Sequence, residues 1–328
     1  MMFAIINNAF FSIVAAAIPA SAVIVLAATG AMLNERVGVL NLGQEGLIGV
    51  GAVFAVIASL QWKVGSPWLA LLIGMVAASV IGSIFALATV VIRANQVLVG
   101  LALALGGVGL SNQLGNGRTG SPIKSLFDKI DPGGAFTGNE FLEAFFHQDP
   151  VVYIAYIILP ALIWFVLYRT RHGMIVRAVG ENPGAADAVG ANVLGIRFLY
   201  TVLGTAISGA AGAYMVLTIT PTWSADIARG RGWVALAVVI FASWRPFRVV
   251  AGALLFGAMI SLDTTTQARG WKLPFLNAVN LSFFLSMLPY VVTLFAILLP
   301  AGAARLGRKT RATTAPSALA TAYFREER

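Results

Sequence analysis

The stretch NERVGVLNLGQEG, residues 34–46, is polar and rich in glycine, although apolar sequence surrounds it. Residues 1–34 contain no Asp, Glu, Lys or Arg, and the next charged residue after Glu45 is Lys63. Two apolar segments therefore flank a short insertion that carries a carboxylate and several amides. This pattern indicates a helix break within the depth of a membrane. The alternative is an ordinary surface turn that leads into a capped helix.

The residues of this insertion also predict where the next helix begins. Asn41 is a good N-cap, and Gln44, three residues further on, can reach back to it. We therefore expect a helix to start at Leu42, with Glu45 in its first turn. Gly43 and its neighbouring glycines allow the backbone to turn sharply and to approach other groups closely.

The composition restricts the class of protein. The chain has 328 residues, of which 59% are hydrophobic and 11% charged, far from the balance of soluble domains. An all-α integral membrane protein is therefore expected. The net charge is +9, and the basic residues lie in short loops between apolar segments. Basic loops of this kind determine the topology of membrane proteins. The charge is therefore not taken as a sign of nucleic-acid binding. There is no Cys, the two His lie in different loops, and no catalytic or metal-binding set of residues is visible.

Charge-free apolar stretches predict about nine transmembrane segments. They lie near residues 9–33, 46–61, 66–92, 94–115, 151–168, 198–220, 232–244, 248–262 and 278–300. Most have the roughly 17 to 25 residues that a membrane-crossing helix needs, but 46–61, 232–244 and 248–262 are short. A short segment indicates a broken or re-entrant helix that its neighbours shelter from lipid. Gly204, Ser208 and Gly212 share one helix face and predict close packing between helices.

The loop charges predict the orientation of the segments. If the loop 169–197 is cytoplasmic, 14 of the 22 Lys and Arg lie inside. The N-terminus is then outside and the C-terminus inside. The loop 116–150 is outside, where it either contacts a partner or serves as a solvated connector. We read 1–300 as the transmembrane domain and 301–328 as a basic cytoplasmic tail, disordered beyond its first residues, next to anionic lipid.

The order of the segments also indicates internal symmetry. Segments one to four and six to nine form two inverted halves, and the second member of each half is short and follows a glycine-containing break. The first break is NLGQEG, residues 41–46, and the second is ARGRG, residues 228–232. Such matching breaks point to a central translocation site, a rule framed for secondary transporters. The residues expected to line or gate the path are Asn41, Gln44 and Glu45 at the first break, and Trp223, Arg231 and Trp233 at the second. The alternative is that the amides only cap a helix and that Arg231 anchors at the interface.

The segment RHGMIVRAVGENPGAADAVGANV, residues 171–193, predicts a short helix outside the membrane. Asn182 can cap it, Pro183 suits its first position, and Gly190 can end it, which leaves a slim rod about 10 Å long. Such a rod can occupy a groove on a soluble partner. A simple amphipathic connector is the alternative.

Three blocks of sequence, in this order along the chain, resemble one known family. They are NERVGVLNLGQEG, then RAVGENPGAADAVGANV, and then GRGWVALAVVIFASWRPFRVVAGALLFG from Gly230 to Gly257. Together they look like the permease subunit of a bacterial ABC importer of the type II kind, in the nucleoside and simple-sugar branch that is related to ribose and branched-chain amino-acid permeases. The chain departs from that pattern at Ala242, Ser243 and Trp244, where relatives often have a Gly-Arg-Trp or Gly-Gly turn.

This resemblance implies partners, a location and a coupling element. The partners are a second similar permease, as a heterodimer or alternatively a homodimer, a tandem-cassette ATPase that holds ATP and Mg, and a substrate-binding lipoprotein. The location is the bacterial cytoplasmic membrane. By the same resemblance the short rod is the coupling helix that docks on the ATPase. Its residues are Gly180, Glu181, Asn182, Pro183, Ala186, Asp187 and Gly190.

The expected function is ATP-driven uptake of a small neutral polar solute, with a nucleoside or related purine or pyrimidine compound favoured. The chain would bind no cofactor itself and would not be an enzyme. A simple-sugar permease is one alternative, and an ion-coupled secondary transporter is another. The ion-coupled alternative would need carboxylates or His within the spans, where only Glu45 and Asp263 come near.

Overall fold

Apolar residues with few interruptions fold into helices throughout the computed structural model, which describes residues 2–130, 145–270, 278–305 and 315–325. The helices are α1 (Met2–Arg36), α2 (Gln44–Leu60), α3 (Pro67–Val91), α4 (Gln96–Gly115), α5 (Pro150–Arg169), α6 (Arg171–Glu181), α7 (Pro183–Ala188), α8 (Val193–Ile219), α9 (Arg231–Phe241), α10 (Pro246–Arg269) and α11 (Ala278–Arg305). A π-helical turn interrupts α5, and π-helical turns also form the last turns of α3 and α8. Outside helices, these residues form only two isolated β-bridges, which join residues 119 and 122 to residues 222 and 223.

Each of the nine apolar segments that the sequence predicts falls on one of these helices. Six helices, α1, α3, α4, α5, α8 and α10, are long and apolar enough to cross a membrane. The helices α2 and α9 are short, as predicted, with 17 and 11 residues. The all-α membrane fold is therefore confirmed.

The prediction that segment 248–262 is short was wrong, because α10 continues to Arg269. The polar residues near its end look like the end of a membrane segment, but a neighbouring helix satisfies them. The carboxylate of Asp263 accepts hydrogen bonds from the hydroxyl of Ser282 at 2.6 Å and the amide of Gln267 at 3.2 Å. The helix then ends at Gly270, whose φ of 62° is left-handed.

The two halves of the chain pack in a reciprocal pattern. Helix α1, the first of the first half, packs along α10, the third of the second half. Likewise, α8 packs along α3, and α1 and α8 also pack against each other. Gly38 follows the end of α1, and a Cβ there would lie 2.8 Å from the guanidinium of Arg197 near the start of α8. Because the end of α1 lies beside the start of α8, the two helices are antiparallel. This arrangement agrees with inverted halves.

Small residues allow the central helices to approach one another, as their spacing predicts. A Cβ on Gly204 would lie 2.4 Å from the carbonyl oxygen of Gly30 in α1, and a Cβ on Gly212 would lie 1.9 Å from that of Ile48 in α2. No larger side chain fits at either position. The helix α8 is thus wedged between α1 and α2 at backbone contact.

One end of the bundle is rich in arginine, and we call it the basic end. There, Arg36 at the end of α1 donates to the backbone carbonyl of Trp244 and, at 2.9 Å, to the hydroxyl of Tyr168 in α5. The indole N–H of Trp244 donates to the buried carboxylate of Glu35 at 2.5 Å. These contacts join α1 and α5 to the turn between α9 and α10.

The turn between α9 and α10 is the place where the sequence departs from the family pattern. Ser243 and Trp244 there have φ angles of 52° and 54°, a left-handed conformation that favours glycine. The hydrogen bonds of Trp244 to Glu35 and Arg36 compensate for the strain of this conformation. Side-chain contacts in this chain therefore stabilise a backbone conformation that glycine adopts more readily.

Candidate functional site

The two glycine-containing breaks that the sequence singles out meet in the structure. The carboxylate of Glu45, at the start of α2, accepts the backbone N–H of Gly230 at 2.6 Å and that of Gly232 at 2.8 Å. It thereby satisfies N–H groups at the start of α9, which have no partner within their own helix. A negative charge is also favourable near the N-termini of both α2 and α9.

The backbone geometry allows this contact to be close. Gly230 precedes α9 with a left-handed φ of 79°, which reverses the chain into the helix. A Cβ on Gly232 would lie 2.3 Å from the backbone nitrogen of Glu45. The starts of α2 and α9 therefore touch through their backbones. We call this contact the Glu45 junction.

The Glu45 junction lies within the length of the bundle, at a distance from the basic end. From the junction, α9 runs 11 residues, about 16 Å, to the turn of Trp244 at the basic end. A hydrocarbon core is about 30 Å thick, so α9 covers about half of it. Both short helices therefore begin at membrane depth.

The first break differs from the prediction in its details. The helix α2 begins at Gln44, not Leu42, and its N-cap is Gly43, which has no capping side chain. The side chain of Asn41 instead accepts the N–H of Gly43 at 2.9 Å and closes a turn before the helix. Gln44 does not reach back to Asn41, because its side-chain oxygen accepts the hydroxyl of Ser208 in α8 at 2.6 Å.

The amides of the first break are enclosed by protein. Asn41 is 1% exposed and Gln44 is fully buried. The side-chain nitrogen of Gln44 has no hydrogen-bond partner among the described residues. A buried amide nitrogen without a hydrogen-bond partner raises the free energy of the folded state. Other contacts of the fold must therefore keep Gln44 in this position.

The three predicted residues of the second break lie in different surroundings. Trp223 is 2% exposed and packs so closely that a Cβ on Gly115 would lie 2.0 Å from its indole. Trp233 is 39% exposed on the outer side of α9. The guanidinium of Arg231 lies 3.4 Å from the carbonyl oxygens of Ile227 and Ala228. Of these three residues, Arg231 lies between Gly230 and Gly232 in the chain and is therefore part of the Glu45 junction.

A cavity with both apolar and polar lining residues opens beside the second break. It has a volume of about 460 Å³ and lies between α9, α10 and α11. Arg231, Asp263 and Gln267 supply charged and amide groups, and Tyr290 supplies a ring with a hydroxyl. The sequence shows Asp263 only as a rare carboxylate near an apolar segment. It could not place Tyr290 beside it, because that requires knowing how α11 packs on α10.

The short rod outside the bundle forms as its residues predict. The helix α7 spans Pro183–Ala188, and the side chain of Asn182 caps it by accepting the N–H of Ala185 at 2.9 Å. Gly190 follows with a left-handed φ of 86°. Val189 is 85% exposed, which is unusual for a large apolar residue.

The two faces of α7 differ. The exposed residues are Glu181, Asn182, Ala185, Ala188, Val189 and Gly190. Ala186, on the opposite face, is only 3% exposed and packs beneath the rod. A Cβ on Gly180 would lie 2.1 Å from the carbonyl oxygen of Arg36, so the start of this loop sits directly on the end of α1.

Residues 315–325 depart from the expected disorder of the tail. They form a segment, which we call the C-terminal strap, that lies on the loop of α6 and α7. Ser317 donates its backbone N–H and its hydroxyl to Glu181 at 3.2 and 2.9 Å. The N–H of Ala318 donates to the carbonyl of Gly180 at 3.0 Å. Residues 306–314 and 326–328 lie outside the described part of the chain.

The second half of the strap supports α7 from below. Tyr323 packs in a small apolar cluster with Val179, Ala186 and Val193. Arg325 forms an ion pair with Asp187 at 3.5 Å. The sequence could have suggested an ordered tail through Tyr323 and Phe324, since aromatic residues are depleted in disordered segments.

These features define a polytopic helical membrane protein with broken helices at membrane depth and a capped rod at its basic end. The chain matches the family described as branched-chain amino acid transport system, permease component, over residues 13–297, and it belongs to that family. It is thus a membrane permease component, a transport subunit and not an enzyme.

Curated relatives cover most of the chain. A protein of Haloferax volcanii, TsgC13, is 33% identical over 95% of this chain and 97% of its own length, and its name assigns it provisionally as a glucose ABC transporter permease protein. The guanosine ABC transporter permease protein NupQ of Bacillus subtilis is 32% identical over 87% of this chain and 90% of its own. The nucleoside ABC transporter permease protein NupC of Lactococcus lactis is 30% identical over 86% and 89%.

These similarities confirm the resemblance to an ABC permease. They decide against an ion-coupled secondary transporter, because the relatives are named as ABC permeases. In the structure the two candidate carboxylates of such a relay are hydrogen-bonded within the protein. Glu45 accepts two backbone N–H groups, and Asp263 accepts the hydroxyl of Ser282.

Proposed function

We propose that this permease imports a nucleoside or a related purine or pyrimidine compound, driven by ATP that a separate ATPase chain hydrolyses. The observation that carries the choice of solute is the similarity to NupQ and NupC, which are named for guanosine and nucleosides. The cavity beside the second break supports it, since it offers a tyrosine ring together with amide and charged groups. Such a lining suits a ring with several hydroxyl groups.

A simple sugar is the second candidate solute. It is favoured by the similarity to TsgC13, which extends over 95% of this chain. Sugars also pair hydroxyl groups with amides and stack on aromatic rings. The lining of the cavity therefore fits both classes, and only a transport measurement separates them.

The solute path, in this proposal, follows the Glu45 junction. Asn41, Gln44, Glu45, Trp223, Arg231 and Trp233 line or gate it. Glu45 holds the two short helices together, and the unpaired amide nitrogen of Gln44 is available to a solute when the junction opens. Trp223 would act by packing against Gly115, while the exposed Trp233 offers a ring face.

The basic end faces the cytoplasm in this proposal, with the N-terminus outside. The rod α7, with Gly180, Glu181, Asn182, Pro183, Ala186, Asp187 and Gly190, is the coupling helix. Its exposed residues dock on a tandem-cassette ATPase that holds ATP and Mg, while Ala186 and Asp187 hold α7 onto the permease. A second, homologous permease and a substrate-binding lipoprotein complete the importer in the cytoplasmic membrane.

A transport assay tests the choice of solute. Proteoliposomes that contain the assembled transporter, its binding protein and internal ATP should accumulate radiolabelled guanosine. Uptake should persist when an ionophore collapses the proton gradient and stop when ATP is replaced by a non-hydrolysable analogue. Uptake of glucose but not guanosine would establish the sugar candidate instead. Failure to take up either solute with ATP would contradict both.

Cysteine scanning tests the path, and it is clean because the chain has no cysteine of its own. Single cysteines at positions 41, 44, 223 and 233 are placed in the assembled transporter and treated with an aqueous thiol reagent. We expect substrate to slow labelling at 44 and 233. A cysteine at Ser66, an exposed residue before α3, serves as the control. Equal labelling with and without substrate at all four positions would contradict the path.

A further inference from the structure

The basic end contains a cavity of about 760 Å³ beside the loop that leads into α7. It lies between α5, α6 and the turn that joins α9 to α10. Four arginines line it, namely Arg36, Arg177, Arg245 and Arg248, with Glu181 as the acidic member of the lining. The cavity therefore carries a strong excess of positive charge.

Among the described residues, none of these arginines forms a salt bridge. The ion pair found among the described residues joins Arg325 to Asp187, away from this cavity. The carboxylate of Glu181 is turned to the C-terminal strap, where it accepts two hydrogen bonds from Ser317. Four arginines therefore face one carboxylate in this cavity, and no salt bridge within 4 Å joins them to an acidic side chain in the part of the chain that the structure describes.

The four guanidinium groups differ in how firmly they are held. Arg36 is fixed by Trp244 and Tyr168, and the guanidinium of Arg177 lies 5.1 Å from the ring centre of Tyr168. The buried Nε of Arg177 has no partner among the residues that the structure describes. Arg245 and Arg248 are exposed and lie three residues apart at the start of α10. The cavity is therefore lined by two guanidinium groups that are held in place and by two that are free to reorient.

The rim of the cavity is aromatic and continues into the outer surface of the bundle. The rings of Trp164 and Phe247 lie 6.3 Å apart and are 37% and 52% exposed. Along α5 the outer face continues with Leu162 and Phe165, both more than half exposed. In a membrane protein such an apolar face lies against lipid chains, and aromatic residues mark the headgroup level. The cavity therefore opens where the acyl chains end.

We propose that this cavity binds the phosphate-bearing headgroup of an anionic phospholipid in the leaflet at the basic end. Arginine binds phosphate oxygens through paired N–H groups, and basic pockets between membrane helices are suited to such headgroups. The acyl chains would lie along α5 and α10 beyond Trp164 and Phe247. The bound lipid would neutralise Arg245 and Arg248 and brace α6, which leads into α7. The proposal needs only membrane insertion, so it is independent of which solute is carried.

The test compares nanodiscs of defined composition that contain the assembled transporter. We expect native mass spectrometry to detect retained phosphatidylglycerol, and we expect 20% phosphatidylglycerol in phosphatidylcholine to raise the thermal unfolding temperature above that in phosphatidylcholine alone. Each arginine near an anionic headgroup contributes binding energy equivalent to about a fivefold change in affinity. Arg245→Gln and Arg248→Gln should each weaken retention by about that factor.

Matched variants separate this site from a general charge effect. Arg171→Gln removes an exposed arginine of α6 that does not line the cavity, and it should leave retention unchanged. Arg248→Lys keeps the charge and should retain most of the binding, which guards against loss through misfolding. Equal losses in Arg171→Gln and Arg248→Gln would overturn the proposal.

Two further arms identify the source of the phosphate group. Inorganic phosphate added in detergent should not reproduce the stabilisation by phosphatidylglycerol, and if it does, the cavity is a free-phosphate site and the lipid proposal is wrong. Retention should also be the same in nanodiscs that hold the permease without the ATPase and in those that hold the assembled transporter. If the ATPase displaces the lipid, this surface belongs to protein docking and the proposal is likewise overturned.

Discussion

Glu45 accepts a hydrogen bond from the backbone N–H of Gly230 at 2.6 Å, although 185 residues separate them in the chain. The same carboxylate accepts the N–H of Gly232, so one side chain closes the start of α9 while it sits in the first turn of α2. Two short helices from opposite halves are joined at membrane depth by this single group. The contact fixes the positions of the two breaks relative to each other.

Replacing Glu45 with Gln should destabilise the protein. Gln can accept one of the two N–H groups, but its own NH₂ then faces the other, which is left unsatisfied at a cost of about 1–3 kcal/mol. Thermal unfolding of the purified transporter in detergent measures the loss. Asp226→Asn is the control, since Asp226 is an exposed carboxylate that binds Asn112 and should change stability by no more than about 0.5 kcal/mol. Equal stability of the two variants would mean that the junction contributes little.

Gly232→Ala should separate the starts of α2 and α9. The added Cβ would lie 2.3 Å from the backbone nitrogen of Glu45, so a helix must move, at a cost of about 1–3 kcal/mol. We expect lower thermal stability and reduced substrate uptake. Gly65→Ala, where a Cβ would meet nothing within 4 Å, should behave as wild type. Full uptake by Gly232→Ala would show that the two helices can part without functional loss.

Ala185→Trp should uncouple ATP hydrolysis from transport, because it enlarges the exposed face of α7 while Ala186 keeps the rod in place. The bulk on this face should prevent α7 from entering its groove on the ATPase. We expect at least a tenfold drop in ATP-driven uptake, equivalent to about 1.4 kcal/mol, with unchanged membrane insertion. Ser66→Trp, at an exposed position in the turn between α2 and α3, is the control for bulk. Normal uptake by Ala185→Trp would contradict the docking assignment.

Deleting residues 315–328 should loosen the loop of α6 and α7. It removes the hydrogen bonds of Ser317 to Glu181 and uncovers Ala186 where Tyr323 packs. Backbone amides of residues 180–193 should then exchange with deuterium faster, and uptake per ATP hydrolysed should fall. Deletion of residues 326–328 alone, which keeps the strap, should change neither quantity. Unchanged exchange after the longer deletion would show that the loop holds its position without the strap.

The local sequence was sufficient to predict those parts of the structure that depend on residues close together in the chain. Asn182, Pro183 and Gly190 predicted the start and end of α7 correctly, because capping and left-handed termination involve groups within a few residues. The apolar runs likewise predicted where helices lie, since a helix in lipid must satisfy its backbone internally. The symmetry of the two short segments indicated that their breaks belong together.

Other features could not be read from the sequence, because they depend on contacts between distant segments. Gln44 turns away from Asn41 only because Ser208 of α8 lies beside it. Helix α10 runs past Asp263 only because Ser282 of α11 satisfies the carboxylate.

The sequence alone determined the membrane class, the helical segments, the two breaks and the capped rod. Each follows from the preference of nearby residues for lipid, water or a helix end. Only the tertiary structure decided that Glu45 closes α9, that the C-terminal strap supports α7, and that four arginines share one cavity. Each of those arrangements joins side chains or backbone groups from segments that lie far apart in the chain, which no local rule relates.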